Sequence, residues 1–206
     1  MNSNTRKIVF AVLGAVLAVA TVWIHYEVKT KVWGLGGFGM GGSIGAPSKF
    51  NIGDAIPDFS GTRLSGEVIS LAEFRDEQVV VLDFWATWCQ PCVQGMPTLQ
   101  ELHEELGELG VQVLAINVGE DIDTVREFIE TEGYSFPVVL DQDSQTKSEF
   151  GVQGIPQLFV VGKDGSLRHH SVGSPVGEDQ MKLKAKQLKQ LIVELLQEPK
   201  TLSTQV

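Results

Sequence analysis

Short runs of apolar residues alternate along the chain with longer segments in which apolar residues recur every three or four positions. The short runs are rich in β-branched residues and predict buried strands. They lie at Val79–Phe84, Val111–Val118, Pro137–Leu140 and Gln157–Val161. The longer segments have the spacing of amphipathic helices. They lie after Cys89, from Thr124 and at Glu178–Leu196, and a further short helix is predicted at Ser144–Phe150.

Short strand pairs are predicted on both sides of this alternating region. An entry segment, Ile52–Phe59, is followed by a short hairpin that includes Gly66–Ser70. Near the end of the domain, Leu167–Val172 follows the preceding strand through a turn at Lys163-Asp164-Gly165. The order is a β-hairpin, then β-α-β-α-β-α, then β-β-α. It predicts an α/β fold with a central mixed β-sheet and helices on both faces.

Two of the predicted helices carry further detail. Pro91 suits the first turn of the helix after Cys89, and Pro97 is expected to kink that helix. The last helix is expected to bury one apolar stripe. Its members are Met181, Ala185, Leu188, Ile192 and Leu195. The polar face carries four lysines, for which contact with solvent is a sufficient explanation. They are Lys182, Lys184, Lys186 and Lys189.

Residues 1–26 are interpreted as an N-terminal membrane anchor, with a cleaved signal peptide as the alternative. Ile8–Ile24 is a run of 17 residues without charge, about 25 Å long as a helix and at the short end of what spans a bilayer. Ala18-Val19-Ala20 resembles a signal cleavage site, but Trp23 and Tyr26 suit a membrane interface. An uncleaved single helix is the favoured interpretation.

The rest of the chain divides by composition. Residues 27–47 form a Gly-rich linker, residues 48–198 the globular domain, and residues 199–206 a polar tail. Lysines and arginines flank the anchor almost equally on both sides, so charge alone does not orient it.

The charge of the domain limits its partners. Residues 46–206 hold 12 Lys and Arg against 25 Asp and Glu, a net charge of −13, while the whole chain carries −10. This balance argues against nucleic acid as a partner and is compatible with a solvated acidic surface or with basic partners.

The two cysteines of the sequence, Cys89 and Cys92, lie at a predicted strand-to-helix junction. Backbone N–H groups at a helix start favour a thiolate at Cys89. A thiolate attacks a disulfide, and a second nearby thiol resolves the mixed disulfide that forms. The pair therefore predicts a redox-active disulfide. Half of a zinc site is disfavoured because no second ligand pair follows, and a purely structural disulfide would close too small a ring to stabilise much.

Asp83 stands within an apolar strand, six residues before Cys89. A buried carboxylate is costly unless it is partnered or protonated, so its pKa is expected to be raised. The alternative is a carboxylate hydrogen-bonded to backbone near the strand end.

Taken together, these residues resemble the thioredoxin superfamily, and more narrowly its membrane-anchored TlpA/ResA-type thiol–disulfide oxidoreductases. The segments that carry the resemblance are Asp83-Phe-Trp-Ala-Thr-Trp-Cys89-Gln-Pro-Cys92, Met96-Pro97, the inserted β-α element Asp121–Leu140, and Gly154-Ile155-Pro156. It implies a thioredoxin-like fold with an N-terminal β-hairpin and a central β-α insertion.

The resemblance also implies roles for the site residues. Cys89 is expected to be the exposed nucleophile, Cys92 the buried resolving thiol, and Asp83 the acid or base that serves Cys92. Pro156 matches the family's cis-proline, whose backbone pairs with an extended substrate segment. Trp88 and Pro91 belong to the same predicted site. No cofactor and no metal are expected.

The sequence departs from the cytochrome-maturation branch of the family at Gly95, where those members commonly carry a glutamate. It also has Gln157, where thioredoxins usually carry threonine. These differences favour a general reductant over one specific for the cysteines that bind haem in cytochrome c biogenesis. The three histidines considered, His103, His169 and His170, are expected to be non-functional.

The expected function is reduction of disulfides in extracytoplasmic proteins, on the periplasmic side if the source is bacterial. The partners are a disulfide-bearing substrate protein and a membrane-embedded thiol carrier that resupplies electrons. One alternative is the same fold acting as a disulfide-forming oxidant, since direction depends on the reduction potential. Another is a copper-binding Sco-like chaperone that uses His169 or His170 as a third ligand.

Overall fold

The computed structural model describes residues 49–198, which form one seven-stranded mixed sheet. The strands are β1 (Ser60–Arg63), β2 (Val68–Ser70), β3 (Val79–Trp85), β4 (Val111–Val118), β5 (Val138–Asp141), β6 (Gln157–Val161) and β7 (Leu167–Val172). Their order across the sheet is β2-β1-β5-β4-β3-β6-β7. β4 runs parallel to β3 and β5, and the remaining pairs are antiparallel. The predicted anchor, linker and polar tail lie outside the described residues.

Five helices connect or follow these strands. They are α1 (Gln90–Val93), α2 (Met96–Leu106), α3 (Ile122–Glu132), α4 (Gln145–Glu149) and α5 (Glu178–Leu196). Two 3₁₀ turns lie at Leu71–Phe74 and Gly107–Leu109. The predicted order of elements is confirmed, including the N-terminal hairpin and the insertion formed by α3 and β5.

The two faces of the sheet are covered unequally. The three longest helices, α2, α3 and α5, pack on the face that also holds Cys89 and Cys92. The opposite face is covered by the entry segment, the first 3₁₀ turn and Phe150, which follows α4. The α/β class with layers on both faces is confirmed, and the cysteines lie on the more thickly covered side.

The helix after Cys92 is broken rather than kinked at Pro97. Gln94 and Gly95 separate α1 from α2, so the break lies before the proline. Pro97 then occupies the first turn of α2, where its missing N–H would have no partner in any case. The prediction of a disturbed helix is right, but its position is wrong by two to three residues.

The start of α3 also differs from expectation. The helix begins at Ile122, and Asp121 caps it by accepting hydrogen bonds from the amides of Asp123 and Thr124. Thr124, where the sequence pattern predicts the helix to begin, lies inside the first turn. An acidic side chain one turn earlier satisfies the unpaired amides and interacts favourably with the helix dipole.

Helix α5 is less buried at its start than predicted. Ile192 and Leu195 are buried, whereas Met181, Ala185 and Leu188 are only half-buried. Lys184, assigned above to the solvated face, is half-buried as well, while Lys182 and Lys186 are exposed. Across residues 49–198, no helix combines the length and apolar character needed to cross a bilayer.

Candidate active site

The cysteine pair lies where β3 ends and α1 begins, as predicted. Cys89 is the residue before the first turn of α1, and its amide donates to the Ala86 carbonyl at 3.1 Å. The two sulfur atoms are bonded at 2.02 Å, and the Cα atoms are 5.2 Å apart. Pro91 lies in the first turn of α1. The site thus occupies the carboxyl end of a strand in the middle of the sheet.

The prediction that Cys89 is exposed is wrong for this disulfide-bonded form. Cys89 retains 4% of its surface and Cys92 2%, and both belong to the core cluster under α2. The bond holds the Cys89 sulfur against Cys92, which is itself packed in the core. The neighbouring Trp88, in contrast, is 71% exposed. Trp88 therefore forms the accessible apolar surface beside the disulfide.

Asp83 lies on the same face of β3 as the core that holds the two cysteines. Its partners in the adjacent strands are Ala115 and Leu158, both apolar, and only 6% of its surface is exposed. Burial raises the pKa of the Asp83 carboxyl to about 8, and the positive charge of Lys184 opposes that rise. The predicted raised pKa is confirmed. Near neutral pH this carboxyl can both hold and release a proton.

Lys184 is a member of this site that the sequence analysis missed. Its Nζ donates to the Gly173 carbonyl at 3.2 Å, and burial lowers its pKa while Asp83 raises it. A signal was present in the sequence. Met181, Lys184, Leu188, Leu191 and Leu195 follow one another at intervals of three and four residues, so the lysine occupies a position in the apolar stripe.

The Pro156 loop lies at the start of β6 and has the expected cis bond between Ile155 and Pro156. Gln157, which is 2% exposed, braces this loop from within. Its Nε2 donates to the Gly154 carbonyl at 3.0 Å, and its Oε1 lies 3.0 Å from Nε2 of His170. His170 therefore has a structural role that the sequence did not indicate, and burial lowers its pKa.

Glu120 anchors the loop that leads to Cys89. Its carboxylate accepts from the Thr87 amide at 2.8 Å, the Thr87 hydroxyl at 2.5 Å and Nδ2 of Asn117 at 2.7 Å. Glu120 was not among the residues predicted from the sequence. The signal that would have found it is its position just after β4, because the ends of parallel neighbours meet at one edge of the sheet.

The described part of the chain offers no group of side chains for the metal-binding alternative. Among residues 49–198, no three His, Cys, Asp or Glu side chains are grouped so that they could hold a metal ion. His170 is engaged with Gln157 instead. The copper-binding alternative is therefore not favoured.

Comparison with known proteins gives the family. The model of the AhpC/TSA family matches residues 52–170. The chain belongs to this family. The thiol-disulfide oxidoreductase ResA of Geobacillus kaustophilus (strain HTA426) is 37% identical over 128 residues, which make up 62% of this chain and 73% of the relative.

Solved structures agree with this assignment. The crystal structure described as thiol:disulfide interchange protein DsbE from Chlorobium tepidum has a TM-score of 0.64 and 30% identity, covering 72% of this chain and 99% of that one. StoA from Bacillus subtilis has a TM-score of 0.54 and 25% identity, covering 66% and 96%. The expected thioredoxin-like, ResA-type assignment is confirmed, and the chain is a thiol–disulfide oxidoreductase with a Cys89–Cys92 pair.

Proposed function

We propose that this oxidoreductase is a membrane-anchored, extracytoplasmic reductant of protein disulfides. The observation that carries the proposal is the buried Asp83 carboxyl, whose raised pKa suits it to exchange a proton with Cys92 at neutral pH. Release of a reduced product needs a Cys92 thiolate, which a nearby base can generate, while the reduction potential sets the direction of the exchange. The similarity to proteins named thiol-disulfide oxidoreductase ResA supports the same class of reaction.

The reduction potential tests the direction. Equilibration of the full chain with glutathione should give a potential below about −220 mV, in the range of reducing thioredoxin-like proteins. A value of about −120 mV, typical of strong periplasmic oxidants, would instead support a disulfide-forming role.

Cys92→Ala tests the assignment of the two cysteines and identifies the substrate. The variant should accumulate mixed disulfides through Cys89, because the resolving thiol is missing. Cys89→Ala is the matched control and should trap nothing and reduce no disulfide in an insulin assay. Residual insulin reduction by Cys89→Ala would contradict the nucleophile assignment.

The proposed partners follow from the cysteine content. Cys89 and Cys92 are the two cysteines of the sequence, so each turnover leaves them oxidised and another protein must reduce them. We assign that role to a membrane-embedded thiol carrier, since residues 1–26 would hold the domain at the membrane. Loss of membrane association on deletion of residues 1–26, with activity retained in solution, is the expected result.

The proposed substrates are general protein disulfides rather than one haem-binding motif. The supporting observation is Gly95, which offers no acid beside Cys92 where the cytochrome-maturation branch carries one. Peptides with a Cys-x-x-Cys-His disulfide and peptides with an unrelated disulfide should be reduced at similar rates. A preference of more than about tenfold for the haem-binding peptide would contradict this assignment.

A further inference from the structure

Lys184 differs from the other lysines near it on α5. Lys182 and Lys186 are exposed, whereas Lys184 is half-buried at a position of the apolar stripe. Helix α5 packs against β3, the strand that carries Asp83. A lysine in such a stripe loses hydration, so its ammonium group requires partners within the protein.

The contacts of Lys184 link it to the Pro156 loop. Its Nζ donates to the Gly173 carbonyl at 3.2 Å. The amide of the same glycine donates to the Pro156 carbonyl at 2.9 Å. Gly173 therefore connects the Lys184 ammonium group to the backbone of Pro156, which is predicted to pair with the substrate.

The charge of Lys184 acts on Asp83. The strand neighbours of Asp83 are Ala115 and Leu158, which carry no charge. The cation that acts on this carboxyl therefore comes from α5, and each of the two groups shifts the pKa of the other toward its charged form. Burial lowers the pKa of His169, on β7, and the charge of Lys184 lowers it further.

We propose that Lys184 is a positioning residue for disulfide exchange. It favours the charged form of Asp83, and it holds the Pro156 loop in place relative to Asp83. This inference rests on the proposed acid–base role of Asp83 but not on the direction of the reaction. Lys184 takes no part in the proton transfer itself and acts through Asp83.

The step concerned is the resolution of the mixed disulfide. The Cys92 thiol gives its proton to the Asp83 carboxylate, and the Cys92 thiolate attacks the Cys89 sulfur. The bond between Cys89 and the substrate sulfur breaks as the Cys89–Cys92 bond forms. Two electrons pass from the cysteine pair to the substrate, which leaves as a thiolate and takes up a proton. The reverse sequence applies to oxidation.

The test compares three variants of the full chain: Lys184→Met, Lys184→Arg and the exposed control Lys186→Met. The Asp83 carboxyl is titrated by ¹³C NMR in the oxidised protein, with Asp83→Asn used to assign the signal. The groups that bear on this titration are Lys184, His169 and, after reduction, the Cys89 and Cys92 thiols. Lys184→Met should move the Asp83 transition upward by about one pH unit, while the other two variants should leave it within about 0.3 units of wild type.

The second readout is the rate of mixed-disulfide resolution as a function of pH. For Lys184→Met the rate at pH 7 should fall about tenfold and recover at higher pH, because a smaller fraction of Asp83 is ionised. Lys184→Arg should keep most of the wild-type rate at pH 7. An unchanged Asp83 titration in Lys184→Met, or a shifted titration with an unchanged rate, would overturn the proposal. An oxidising potential would overturn the proposed reductive function and leave the Asp83 titration result intact.

Discussion

Asp83 is the residue whose ionisation the fold changes most clearly. Its pKa rises from 3.8 to about 8 on burial, so the unfolded chain loses this proton at a lower pH than the folded protein. The contribution of Asp83 to stability is therefore complete below about pH 4 and is lost progressively up to about pH 8, at roughly 1.4 kcal/mol per pH unit. An acid that costs stability at neutral pH is expected where proton transfer is required.

Asp83→Asn should remove this pH dependence. The free energy of unfolding of the oxidised variant, relative to wild type, should increase by about 3 kcal/mol between pH 5 and pH 7. Urea denaturation followed by tryptophan fluorescence at both pH values measures the difference. Asp179→Asn, on the exposed first turn of α5, serves as control and should differ from wild type equally at both. If the free energy of unfolding changed with pH equally in Asp83→Asn and wild type, the raised pKa of Asp83 would be refuted.

At the scale of elements, the decisive junction is the edge where β3 and β4 both end. Glu120, just after β4, holds Thr87 just after β3 through both the amide and the hydroxyl, while Asn117 supports its carboxylate. Two parallel strands thereby fix the start of the loop that carries Trp88 and Cys89. The position of Cys89, the proposed nucleophile, consequently depends on a residue more than 30 positions away in the sequence.

Glu120→Ala should destabilise the fold and loosen this loop. Loss of the hydrogen bonds to a charged acceptor predicts a decrease of about 2–4 kcal/mol in the free energy of unfolding. Amide hydrogen exchange at Thr87 should also become faster, and mass spectrometry of the peptide that contains the loop measures this rate. Glu120→Gln keeps one acceptor, so its stability and its exchange rate should lie between those of wild type and Glu120→Ala. Glu130→Ala, on the exposed side of α3, should have the stability and exchange rate of wild type. Unchanged exchange at Thr87 would exclude the anchoring role.

At the scale of the whole molecule, β5 joins the N-terminal hairpin to the rest of the sheet. It lies between β1 and β4, so the inserted α3–β5 unit is structurally central rather than peripheral. The close approach at this point depends on Gly61. A Cβ added there would lie 2.4 Å from Cγ1 of Val139, a fully buried side chain of β5.

Gly61→Ala should therefore destabilise the protein by about 1–3 kcal/mol, because the added methyl group overpacks a filled core. Combining it with Val139→Ala should cost less than the sum of the two single changes, which a double-mutant cycle by urea denaturation measures. Gly107→Ala is the control, since open space surrounds that position. It should leave stability unchanged or raise it by up to about 1 kcal/mol. Additive effects of Gly61→Ala and Val139→Ala would contradict the close approach.

The predicted elements depended on patterns within short stretches, and most of them are confirmed. The apolar β-branched run at Val79–Phe84, which the observed strand extends by one residue, the cysteine pair after it and the burial of Asp83 all follow from local sequence. Such patterns show that a side chain faces a core, because periodicity reports the direction of a side chain. The failures near Pro97 and Thr124 concern helix ends, where single capping contacts decide the boundary.

The sequence by itself therefore determined the order of elements, the strand-to-helix position of Cys89 and Cys92, and the buried acid beneath them. Only the tertiary structure decided which residues meet that acid and that loop. The charge of Lys184 acts on Asp83 from the last helix, the Glu120 carboxylate accepts hydrogen bonds from Thr87 on the neighbouring strand's end, and Gln157 contacts His170 across a strand pair. These contacts depend on sheet order and helix packing, which join residues far apart in the chain and leave no periodic signal within it.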